Sequence, residues 1–102
     1  MKTITLQIDN SDNKLTQQEW SRFVRDVNQH LNGTMCKYIT IHLSGGSYSY
    51  APWQNYCWVF RKINTEIEDY VLDTIKNQIA KIAKEEYKQD SIAWTEGVTE
   101  FV

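Results

Sequence analysis

Residues 3–8 alternate, with Ile4, Leu6 and Ile8 on one side and Thr3, Thr5 and Gln7 on the other. That period of two predicts a strand with one buried face. The polar run Asp9-Asn10-Ser11-Asp12-Asn13 predicts a loop. The period then changes to helical, with Trp20, Phe23, Val24, Val27 and Leu31 on one stripe. Thr16-Gln17-Gln18-Glu19 supplies a capping box at the start, and Leu15 with Trp20 fits a hydrophobic staple. Asn32-Gly33 is read as the stop, with Gly33 in a left-handed conformation.

Cys36 to Leu43 and Tyr56 to Ile63 are rich in β-branched and aromatic residues and predict two further strands. The connection from Ser44 to Asn55 is long for a hairpin. A second capping box, Thr65-Glu66-Ile67-Glu68, opens a helix read as running to about Tyr87, about 33 Å long. Its apolar stripe is Ile67, Val71, Ile75, Ile79 and Ile82. Its acidic first half and basic second half complement the helix dipole. Ser91–Thr95 and Val98–Val102 are each read as a short terminal strand, with Gly97 as a break or bulge. The order β-α-β-β-α-β implies a two-layer α+β fold of the split βαβ (ferredoxin-like) kind. It has an antiparallel sheet, both helices on one face and a long second helix. Residues 1–102 read as one domain.

Pairing Leu43 opposite Tyr56 gathers Ile39, Ile41, Leu43, Trp58 and Phe60 on one face. Tyr38, Thr40, His42, Cys57, Val59 and Arg61 then line the face away from the helices. The same register puts His42 opposite Cys57 and Cys36 opposite Ile63, too far from Cys57 for a disulfide. The uncovered face with Tyr38, Val59 and Arg61 is a candidate contact surface, although scattered apolar groups are also ordinary on a solvated face.

The 102 residues carry a net charge of −2, which excludes the dense basic field of a sequence-independent nucleic-acid binder. Two cysteines, no apolar leader at Met1-Lys2-Thr3-Ile4 and no apolar run of about 20 residues point to a cytoplasmic chain without a membrane span. Two isolated His and two isolated Cys make no zinc pattern, and no metal or cofactor is expected.

The strongest functional signal is aromatic. Tyr48, Tyr50, Trp53 and Tyr56 are interleaved with Ser47, Ser49, Gln54 and Asn55. Rigid rings among small polar residues suit recognition of a protein or stacking on a flat base. The bland alternative is that they fold back over one end of the core. With His42 and Arg61 supplying charge and hydrogen bonds, these rings are read as a binding site for a nucleotide-like small ligand or a protein partner. Other signals are weaker. A His42–Cys57 dyad would make a small thiol enzyme, but no third orienting residue is evident. Gly45-Gly46 reads as a turn rather than a phosphate cradle. Asp69 and Asp73 share a solvated helix face. Leu72, Ile75, Ile79 and Ile82 have a 3-4-3 spacing that suits either a homo-oligomer seam or the core of one subunit.

The layout, including the stretch Ala51-Pro52-Trp53-Gln54-Asn55-Tyr56-Cys57-Trp58, resembles small accessory proteins of phages and mobile elements that antagonise bacterial defence. The resemblance implies an oligomeric, non-enzymatic binder in the host cytoplasm that sequesters a nucleotide signal or caps a host defence protein. It transfers no functional residue. The alternatives are the Cys-His enzyme and a purely structural oligomerisation subunit.

Overall fold

The computed structural model describes residues 2–10, 12–47 and 54–98. Its elements are β1 (Lys2–Asp9), α1 (Gln17–Gln29), a π-helical turn (His30–Thr34), β2 (Ile39–Ser47), β3 (Asn55–Lys62), α2 (Tyr70–Tyr87) and β4 (Ala93–Val98). The four strands form one sheet in the order β2-β3-β1-β4, and every neighbouring pair is antiparallel. This is the α+β arrangement expected for a split βαβ fold. Among the described residues, no helix is long and apolar enough to cross a membrane.

The alternation of β1 decides the core. Ile4, Leu6 and Ile8 are buried together with Trp58 and Phe60 of β3 and Ile39 of β2. The same cluster takes Trp20, Phe23, Val24 and Val27 from α1 and Leu72, Ile75, Ile79, Ala83 and Tyr87 from α2. Both helices therefore share one face of the sheet. Phe23 stacks on Tyr87 at 4.6 Å, and Phe60 meets Trp94 edge-on at 5.7 Å. Each large apolar side chain buried this way contributes about 1.5–3 kcal/mol. The Tyr87 hydroxyl donates to the Asp26 carboxylate, and burial followed by that bond holds the phenol well above its ordinary value.

The first capping box forms as expected. The Glu19 amide donates to Thr16 Oγ1, and the Thr16 amide donates to Glu19 Oε1. Elsewhere several boundaries differ from the sequence reading. Gly33 is not left-handed; the helix ends in the π-helical turn, closed by the Met35 amide on the His30 carbonyl at 3.0 Å. The second box does not form among the described residues; the segment makes a local turn in which the Glu66 amide donates to Asn64 Oδ1. Lys62 Nζ then pins the Ile67 carbonyl at 2.8 Å, so α2 starts only at Tyr70. Gly97 does not break the last strand, which runs through it.

The β2–β3 register also differs. Thr40 faces Arg61 and Ile41 faces Phe60, but Leu43 faces Val59, with a bulge between Ile41 and Leu43. The bulge turns Leu43 onto the face away from the helices, where it is 56% exposed. Past it, Gly46 lies opposite Tyr56, and a Cβ there would collide with the Asn55 carbonyl and the Tyr56 Cα. Gly46 thus permits close backbone approach rather than making a turn. Tyr38 precedes β2 and packs against the core instead of lining the open face. Of the two uses that the 3-4-3 spacing suits, the structure has the core of one subunit: Leu72, Ile75 and Ile79 are buried inside it, with Ile82 packed beside them.

Candidate functional site

Of the sequence-predicted site residues, the three that are described, Tyr56, His42 and Arg61, lie apart from one another. Tyr48, Tyr50 and Trp53 lie outside the described residues. Tyr56 is in β3, half-buried on the core side, with its ring 4.8 Å from that of Trp58. Arg61 is five residues further along the same extended strand, about 16 Å away at 3.3 Å per residue, and on the opposite face. His42 is exposed at the bulge of the edge strand. Cys57 faces Gly45 on one side and Gln7 on the other, so the His42–Cys57 pair expected from the simple register does not form. Both cysteines are free thiols. Among the described residues, no group of His, Cys, Asp and Glu is arranged to hold a metal ion.

What the sheet does build is a basic groove at the end of the sheet where Arg61 sits. β1 and β3 pair with Ile4 opposite Phe60. Extending that register two residues brings Lys2 beside Lys62 on the helix side. Like charges placed so are unfavourable unless an anion sits between them. The turn after β3 provides one. Lys62 Nζ is 2.6 Å from Asp69 Oδ1, and Lys2 Nζ is 3.9 Å from Asp69 Oδ2. Lys2 also pairs with Glu96 at 3.5 Å. The hydrogen bond from Lys62, then the charges of Lys62 and Lys2, hold the Asp69 carboxyl below the usual aspartate range. The Asp69 side chain is nonetheless 65% exposed, whereas that of Lys62 is 19% exposed. The cation is fixed by the fold, and its anion is at the surface.

Arg61 completes the groove. One terminal guanidinium nitrogen donates to the Lys62 carbonyl at 3.0 Å and reaches the Ile63 carbonyl at 3.5 Å. These contacts curl the side chain round the strand end. The Arg61 Nε is buried and, among the described residues, has no hydrogen-bond partner. An orphaned buried donor costs about 1–3 kcal/mol. Lys2, Arg61, Lys62, Asn64, Thr65 and Asp69 together line a groove of about 440 Å³. Three cations against one carboxylate leave the lining positive, in a chain whose net charge is −2.

Of these residues, the sequence reading named Arg61 for binding and treated Asp69 only as part of a solvated helix face. Lys2 and Lys62 were missed because alternation sends neighbours to opposite faces, and only the β1–β3 register brings the two lysines together. The Arg61-Lys62 doublet at a strand end, followed by Asn64, was the available signal. No protein-family model matches the chain, and no curated protein or solved structure is significantly similar to it.

Proposed function

We propose that the chain is a non-enzymatic binding protein whose basic groove takes a phosphate-bearing small ligand, with a nucleotide-like molecule as the candidate class. The observation that carries this reading is the buried Arg61 Nε without an acceptor, beside two lysines that share one surface carboxylate. Turned into the groove, the Arg61 guanidinium would give that donor a phosphate oxygen, and the lysines would add charge-assisted bonds. Asn64 and Thr65 add neutral groups at the rim. Sequestering a ligand this way would be consistent with the phage-type, anti-defence role implied by the chain's layout. Capping of a host protein is the competing form of that role.

Calorimetric titration with pyrophosphate and with ADP at low salt tests the proposal. The expected result is saturable binding that weakens at least tenfold in Arg61→Gln. Absence of binding at millimolar ligand, or equal binding by the variant, would overturn it.

A further inference from the structure

Among the described residues β2 and β4 are the two edges of the sheet, and an edge strand invites pairing with another chain unless it is blocked. At one edge β2 is interrupted by its bulge and by Gly45-Gly46. At the other edge β4, Ala93–Val98, has no proline, no lysine and no register shift against β1. Five of its six residues are exposed, and Val98 is 81% exposed. Its one charge, Glu96, is held by Lys2 of β1.

We infer that β4 is a dimerisation edge, occupied by β4 of a second copy in antiparallel pairing that makes one continuous eight-stranded sheet. Charge and side-chain alternation select the register. Directly opposite residues in an antiparallel pair share a face, so the two-fold axis must pass beside a residue paired with itself. Centring on Glu96 sets two carboxylates against each other, which is unfavourable. Centring on Thr95 instead places Trp94 opposite the partner's Glu96, Ala93 opposite the partner's Gly97 and Ile92 opposite the partner's Val98. In this register the partner's carboxylate approaches the Trp94 indole N–H, which already donates to its own Glu96 at 3.3 Å. Apolar Ile92, half-buried against the core, gains an apolar neighbour. The helices of both copies stay on one side of the joined sheet, and the open faces join on the other.

Sedimentation velocity and cysteine crosslinking test the inference. The expected result is a dimer at tens of micromolar protein that becomes a monomer in Thr95→Lys, because the two-fold puts the two new charges together. Thr95 is exposed, so the variant should keep its circular dichroism; Val98→Lys serves as the second variant if it does not. In a Cys36→Ser background, Thr95→Cys should oxidise to a covalent dimer faster than Glu96→Cys. A monomer at every concentration, a dimer untouched by both lysine variants, or faster crosslinking through Glu96→Cys would each overturn the proposal.

Discussion

The two ends of the central strands solve the same problem in opposite ways. Where β1 ends and β3 begins, polar groups are buried and closed on one another. The Asn10 side chain accepts from the Leu15 amide at 3.0 Å and donates to the Leu15 carbonyl at 2.9 Å and to Gln54 Oε1 at 2.6 Å. The Asn10 amide donates to the Gln54 carbonyl, and Gln54 Nε2 donates to Gln17. Both side chains are almost wholly buried. At the opposite end, Lys2 and Lys62 share Asp69, and beside them one buried Arg61 donor has no acceptor among the described residues. A satisfied buried network fixes a fold. A network with a donor left over gains from an acceptor that the chain itself does not supply.

The contrast predicts that stability and binding separate between the ends. The largest effect is expected at Asn10→Ala, which takes their side-chain partner from the Leu15 amide, the Leu15 carbonyl and Gln54 Oε1 together. The loss should be about 3 kcal/mol in urea unfolding, or roughly 15 °C in Tm. Pyrophosphate affinity at the far end should not change. Gly46→Ala comes next, at about 2 kcal/mol, because the new methyl must push β2 off β3 at Asn55 and Tyr56. A neutral effect on unfolding in either variant would mean that this end is not the anchor described.

Arg61→Gln should invert the pattern. Among the described residues its terminal nitrogen donates only to the Lys62 and Ile63 carbonyls, and its Nε has no bond to lose. Stability should therefore move by less than about 1 kcal/mol. Phosphate affinity should fall about tenfold to a hundredfold, the range of a charge-assisted hydrogen bond. Unfolding and calorimetry on the same preparation measure both quantities. A variant that binds normally but unfolds easily would make Arg61 a structural residue and remove the distinction between the ends.

How far this was legible in the sequence differs between the ends for a physical reason. Periodicity reports which face a residue takes, so the Ile4-Leu6-Ile8 stripe, the α1 stripe and the Thr16–Glu19 box were readable. The antiparallel pairing followed from the order of elements. Periodicity does not report a bulge, and one extra residue at His42 moved Leu43 to the other face and removed the His42–Cys57 pairing. It also does not report what meets across strands. Asn10 looked like one more polar loop residue, and Lys2 like an ordinary terminal lysine. Each role depends on a partner dozens of residues away, Gln54 for one and Lys62 for the other.

The smallest effect is the most discriminating, because its sign differs between binding and stability. Asp69 occupies the position where a ligand anion would meet Lys62 and Lys2. Asp69→Asn removes that internal competitor, so pyrophosphate affinity should rise, by roughly two- to fivefold for a surface ion pair. The same change should slightly destabilise the free protein. The folded-state value of Asp69 is depressed, so its contribution to stability is present above the unfolded aspartate value of about 3.9. That contribution is lost as pH falls through the lower folded value. The stability difference between wild type and Asp69→Asn should therefore be present at pH 7 and vanish in acid, while the gain in affinity is read at pH 7. If the asparagine variant binds more weakly, Asp69 is a ligand-holding group rather than a stand-in for the ligand. The open end of the sheet would then recognise a cationic or hydrogen-bonding partner instead of a phosphate.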